Sequence, residues 1–274
     1  MTTETTPISV PPTPSRLRRL WTGMLQGYSL VLLWILMILA LIVFIPGDIS
    51  MLNALRAVLG QQTPLIFLGL GVVITMSVGE FDLSFAGIYG IAAVATPALV
   101  VLHDWPLAVA ALSALAIALV AGLVNAWLVV GVGINSVVVT LGVSSVTGGL
   151  AYLLAGETTI SGLDPALSQV ALGRFLGLPY LFWYGVILVA IVAYVMSATP
   201  LGRHMLFVGA NRNVARLAGV NVGRVRAGAY IASALLAGLA GVILSLGLGG
   251  ASPGTAATQL MPTFAAVFLG TIAV

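Results

Sequence analysis

Apolar runs long enough to cross a bilayer follow one another along this chain, and one long polar-containing stretch, Leu201 to Val222, interrupts them. That stretch holds Arg203, Arg212 and Arg216, and Arg224 and Arg226 follow just beyond it. An arginine at the bilayer centre costs several kcal/mol, so the stretch belongs at a membrane face. By the positive-inside rule that face is the cytoplasmic one. Charged residues make up 6% of the 274, against about 25% in soluble domains. So few charges cannot clothe a soluble surface, and the expected fold is an all-α polytopic membrane protein.

The same inventory excludes several chemistries. All ten basic residues are arginine. A Walker A loop needs Gly-Lys-Ser/Thr, so this chain cannot bind and split ATP in that way. Cysteine is absent, which removes disulfides, thiol catalysis and thiolate metal sites. The net charge of +3 does not point to nucleic acid, because the arginines gather at membrane edges. His103 and His204 fall on opposite sides of the expected topology and cannot share a metal. Neither has a serine and an acid arranged as a catalytic triad. No catalytic and no metal-binding residues are assigned.

A spanning helix needs roughly 20 apolar residues. Spans are read near 24–45, 62–79, 85–102, 106–131, 134–155, 180–197 and 227–249, with an eighth starting at 261. Residues 1–22, rich in Thr and Pro, read as a disordered cytoplasmic tail, and 23–274 as one transmembrane domain with a cytoplasmic loop at 198–226. The apolar run after Arg16, Arg18 and Arg19 is too long for a signal-peptide core of about 7–15 residues. With the N-terminus inside, Arg16, Arg18, Arg19, Arg203, Arg212, Arg216, Arg224 and Arg226 are cytoplasmic, and only Arg56 and Arg174 lie outside. The bias is the one the rule requires. Gly156 to Pro179 reads as a longer outer loop. Ala110, Ala114, Ala118, Gly122 and Ala126 form a small-residue stripe on the fourth span, and Ala237, Gly241, Ser245 and Gly249 another on the seventh. Such stripes let helix backbones approach closely in lipid.

Gly79-Glu80-Phe81-Asp82-Leu83-Ser84 places two acids between two spans. Intramembrane carboxylates are candidates for proton relays or ion sites. Residues two apart do not share a helix face, however. The preferred reading is that Asp82 or Ser84 caps the next helix, with Gly79 ending the previous one. Asn125 near the end of the fourth span, and Asn135, Thr140 and Ser144 around the fifth, either bond their own helix carbonyls or line a watery path. Gly142, Gly148 and Gly149 point to a broken or close-packed fifth span.

Two stretches resemble bacterial ABC-importer permeases of the ribose and simple-sugar class, a family shared more broadly with branched-chain amino-acid permeases. One is Gly79 to Ser84. The other runs from Thr199-Pro200-Leu201-Gly202-Arg203 through Gly209-Ala210-Asn211 to Ala215-Arg216-Leu217-Ala218-Gly219-Val220-Asn221-Val222. Thr140-Leu141-Gly142 matches a recurrent tripeptide of the same family.

The resemblance implies a homo- or heterodimeric permease in the bacterial cytoplasmic (inner) membrane, N-terminus inside. It implies a cytoplasmic ABC ATPase subunit, a second permease chain and an extracytoplasmic sugar-binding protein as partners. ATP and Mg would sit on the ATPase, with no cofactor on this chain. The cytoplasmic loop would carry a short coupling helix around Asn211 to Leu217. The docking residues would be Arg203, Asn211, Arg212, Asn213, Ala215, Arg216, Leu217, Gly219 and Asn221. Family members continue past Leu269-Gly270 with further helices, so the end at Val274, inside the eighth span, is expected to be either a truncation or the end of a product that lacks the last helices. A branched-chain amino-acid permease, or a carrier using Glu80 and Asp82 for proton coupling, are the alternatives. A structural scaffold fits the loop poorly.

Overall fold

The structure, a computed structural model, describes residues 32–40, 56, 58–156 and 158–272. The readings for residues 1–22 and most of the first span lie outside these; within that span, 32–40 is helical. The chain divides into two compact units, Met1–Ile49 with Leu269–Val274, and Ser50–Phe268.

Ten helices carry the larger unit: α1 Thr63–Ser77, α2 Phe85–Pro97, α3 Leu107–Ala126, α4 Ser136–Ala155, α5 Pro165–Leu172, α6 Tyr180–Ala198, α7 Pro200–Ala210, α8 Arg212–Leu217, α9 Val222–Leu248 and α10 Thr255–Ile272, the last running past its edge. Wider π-type turns extend α2 over Ala98–Leu102 and α3 over Trp127–Val132. Among the described residues six helical stretches are long and apolar enough to cross a bilayer: Val58–Ser77, Phe85–Leu102, Leu107–Val132, Ser136–Ala155, Tyr180–Ala198 and Val222–Leu248. A shorter apolar helix covers Ala257–Gly270. This is an all-α polytopic membrane architecture.

One boundary moves in a way that matters. The seventh span starts at Val222, not at 227, because the Asn221 side chain accepts the Arg224 N–H and caps it early. Arg224 and Arg226 therefore ride on the first turns of α9 instead of a loop. The fifth span is not broken: α4 runs unbroken from Ser136 to Ala155, and a Cβ added at Gly142, Gly148 or Gly149 would meet open space. The outer loop is partly ordered. Asp164 caps α5 through the Ala166 N–H at 2.8 Å, with Pro165 preset at the first helical position. Two small antiparallel pairs flank it, β1 (Ile160–Ser161) with β4 (Gly250–Ala251), and β2 (Arg174–Phe175) with β3 (Leu178–Pro179).

All thirteen residues of α2 are buried, as a helix apolar all round must be. Its neighbours are α9, α3 and α4. The stripe Ala110, Ala114, Ala118, Gly122 and Ala126 is buried as read. A Cβ at Gly122 would strike Ala234, and one at Gly238 would strike Ala118, so α3 and α9 are in near-backbone contact. Gly241 of α9 lies against the Tyr89 carbonyl of α2, and Gly87 of α2 against Ser144 and Thr147 of α4. Close approach of backbones replaces the hydrophobic effect as the cohesive term in lipid. α9 is the hub, packing on α1, α2 and α3.

Candidate functional site

The site begins where α1 ends. Val78 closes the helix and Gly79 takes the left-handed conformation, φ 73°. The Gly79 N–H donates to the Met76 carbonyl at 2.9 Å and the Glu80 N–H to the Thr75 carbonyl at 3.1 Å. This double bond pattern is the Schellman stop that glycine favours, so Gly79 ends the helix as its sequence position suggested.

The next residues are not helical, and this changes what two-residue spacing means. Glu80 is 4% exposed, Phe81 46% and Asp82 1%. Both carboxylates reach α9, Glu80 through Arg226 and Tyr230 and Asp82 through Ser233. The helical-face argument does not apply here.

Glu80 binds three groups. Its Oε1 accepts from Arg212 Nη2 at 2.7 Å and from Arg226 Nε at 2.6 Å, and its Oε2 accepts from the Tyr230 hydroxyl at 3.0 Å. Arg212 Nη2 also donates to the Gly79 carbonyl at 2.8 Å. Two guanidiniums around one carboxylate satisfy the requirement that a buried charge be paired and hydrogen-bonded.

Asp82 is held differently. Its Oδ1 accepts from the Ser84 N–H at 2.8 Å and the Ser84 hydroxyl at 2.6 Å, and its Oδ2 from the Ser233 hydroxyl at 2.7 Å. Asn125 Nδ2 of α3 donates to Ser84 Oγ at 2.7 Å. Asp82 thus binds the residue at the N-cap of α2, and the Ser84 side chain makes no capping bond of its own. The capping reading is corrected in detail: the hydroxyl turns to the carboxylate, because both are buried and each satisfies the other. Burial pushes the Asp82 carboxyl up from its ordinary value, and the hydrogen bonds from Ser84 and Ser233 oppose that rise.

The polar loop folds as a helical elbow. Thr199 precedes α7, and its hydroxyl accepts from the Gly202 N–H at 3.4 Å. Asn211 opens α8 by accepting the Asn213 and Val214 N–H groups at 3.0 and 3.1 Å. Gly219, φ 84°, closes it with the same Schellman pattern, its N–H on the Arg216 carbonyl and that of Val220 on Ala215. The six-residue helix presents Val214, Arg216 and Leu217 outward, with Leu217 89% exposed. Arg203, Asn213, Gly219 and Asn221 are also exposed. Ala215 is fully buried and Arg212 turns inward to Glu80, so neither belongs to the outward face.

Asn135 caps α4 through the Val137 N–H at 2.9 Å and lines a polar hollow of about 340 Å3 with Gly79, Glu80, Ser136, Arg212 and Arg226. Thr140 is buried and returns its hydroxyl to the Ser136 carbonyl at 2.8 Å. Ser144 lies higher on α4, where its backbone carbonyl meets Gly87. Sequence reasoning did not join Arg226, Tyr230 and Ser233 to the two acids. The available signal was their spacing: polar residues at i, i+4 and i+7 fall on one face of an otherwise apolar helix.

Residues 54–273 match the family model described as the branched-chain amino acid transport system / permease component. The chain belongs to this family of permease components. It is similar to the autoinducer 2 import system permease protein LsrC of Escherichia coli O157:H7, 30% identical over 241 residues, covering 88% of this chain and 70% of that protein. It is also similar to the L-arabinose transport system permease protein AraH of Escherichia coli (strain K12), 25% identical over 263 residues, covering 92% of this chain and 75% of that one. The autoinducer 2 import system permease protein LsrD of Salmonella typhi is 31% identical over 215 residues, covering 74% and 64%. No solved structure matches. The resemblance to importer permeases is borne out, and the chain is a multi-pass membrane permease subunit, a transport component.

Proposed function

We propose that this chain is the membrane-spanning subunit of an ATP-binding-cassette importer that carries a monosaccharide across the bacterial cytoplasmic membrane, N-terminus inside. The observation that carries this reading is α8. It is a capped six-residue helix with an apolar and basic outward face, packed on α7 and α9 within the chain's arginine-rich stretch. A protruding apolar anchor such as Leu217 is what helix-in-groove docking requires. The partner is a cytoplasmic ATPase that holds ATP and Mg; Arg203, Asn213, Arg216, Leu217, Gly219 and Asn221 form the docking face, with Asn211 shaping it. A second permease chain and an extracytoplasmic sugar-binding protein complete the importer. Similarity to an L-arabinose permease over 92% of the chain supports a sugar. The family description supports a second reading, a branched-chain amino acid as cargo.

The experiment is co-purification. Leu217→Glu, at a position 89% exposed, should insert normally in the membrane and lose the ATPase that accompanies the parent chain. An undiminished ATPase yield with that variant would reject docking at α8.

A further inference from the structure

Resting on the reading of the chain as an ABC permease, we propose that Glu80 is a positioning residue that transmits movement of α8 into α9. Beside the direct packing of α7 and α8 on α9, two further routes join these helices. The covalent one is the turn Ala218–Asn221. It contains Gly219 at φ 84°, with nothing near the place of a Cβ, and it is exposed along most of its length. Its hydrogen bonds run back into α8 or forward into α9, with no side-chain bond among the described residues tying it to another element. The second route is buried and cross-bonded. At Gly209, two residues before the α8 cap, a Cβ would overlap the Ser77 carbonyl, so the elbow lies on the end of α1 with backbone against backbone. Arg212 then bonds both the Gly79 carbonyl and Glu80. The elbow, the α1 terminus and the 79–82 connector therefore move as one piece.

From that piece the only ion pair into α9 among the described residues is that of Glu80 with Arg226, and Tyr230 bonds the same carboxylate. The partners stand 132, 146 and 150 residues away in sequence. The two arginine arms also differ in exposure. The Arg212 side chain is 42% exposed and that of Arg226 16%, with Glu80 at 3%. The α9 arm is the deeper one, where a guanidinium–carboxylate pair is least screened by water. Arg226 bonds Oε1 through Nε and Nη2, both at 2.6 Å, which fixes its orientation. Asp82, two residues on, ties the same connector to Ser233 further along α9. A displacement of α8 is thereby delivered to α9 at two adjacent levels, with Glu80 the ion-paired one.

The test uses the full chain in membrane vesicles with its co-expressed ATPase, and needs no cargo. The chain has no cysteine, so Leu248→Cys, 68% exposed at the far end of α9, is a single reporter. Its labelling rate by a maleimide is compared without nucleotide and after trapping with ATP and vanadate. The parent should show a nucleotide-dependent change in rate. Glu80→Gln should lose that change while the ATPase still co-purifies in parental amount. A merely structural Glu80 would lower the amount of complex and leave the change intact in the complexes that form. Where Glu80→Gln fails to assemble, Arg226→Lys decides, since it keeps the charge but cannot hold both bonds. A full nucleotide-dependent change in these variants overturns the proposal. A parent chain that brings no ATPase with it instead rejects the importer reading, and the inference falls with it.

Discussion

Asp82 has no cation within its hydrogen-bond shell among the described residues, only hydroxyls and one backbone N–H. Its raised pKa therefore makes a prediction about stability. Between the ordinary carboxylate value and the raised folded one, the folded protein keeps a proton that the unfolded chain has released. That contribution favours folding at low pH and is lost as pH rises through the folded value. Asp82→Asn carries an amide that accepts from Ser84 and donates to Ser233, as the protonated acid would. It should unfold in detergent at neutral pH no earlier than the parent, and its melting temperature should vary less between acid and neutral pH. Asp82→Leu leaves the buried Ser84 donors without their acceptor, at about 1–3 kcal/mol each. Equal destabilisation by Asn and Leu would contradict this account of the carboxyl.

Individual residues also show what the sequence could not disclose. Glu80 and Asp82 were visible as acids between spans, and Asp82 was readable as a local cap. Their partners were not, because Arg212, Arg226, Tyr230 and Ser233 are more than 130 residues away and no local pattern pairs them.

At the scale of elements the chain was more legible, since caps and apolar length are local. The coupling helix read at Asn211 to Leu217 is the α8 of the structure, Arg212–Leu217 behind an Asn211 cap. The small-residue stripe of the fourth span is the buried face of α3. The early start of α9 was missed because Val222–Arg226 is too polar for a hydropathy window, while the Asn221 cap decides it. A six-residue helix has little stability of its own, so its cap matters. Asn211→Ala removes the acceptor of two N–H groups and should cost about 1 kcal/mol locally. Asn211→Asp keeps the acceptor. The first substitution should lower hydrogen-exchange protection of Ala215 and Ala218 to the level of open loop and lower ATPase co-purification, and the second should do neither. Unchanged protection with Ala at 211 would show that packing of Ala215 alone holds α8.

For the whole molecule, membership in the permease family and six helical stretches among the described residues long and apolar enough to cross a bilayer leave orientation as the first thing to measure. The proposed orientation, argued from the arginine bias, has the α7–α8 elbow inside and the segment between α4 and α5 outside. In a chain without cysteine, Thr158→Cys should react with an impermeant maleimide on intact cells, and Asn213→Cys should react only after the membrane is opened. The reverse pattern would invert the topology and with it the docking face.

The energy source separates an ABC permease from a proton-coupled carrier. In the carrier reading Glu80 or Asp82 must titrate during transport, yet Glu80 is committed to two arginines and Asp82 to hydroxyl donors. The deciding measurement is uptake of labelled monosaccharides, L-arabinose among them, into vesicles that contain this chain with its importer partners. The account predicts uptake that stops when ATP is removed and continues when a protonophore is added at constant ATP. Uptake that persists without ATP and collapses with the protonophore would contradict it.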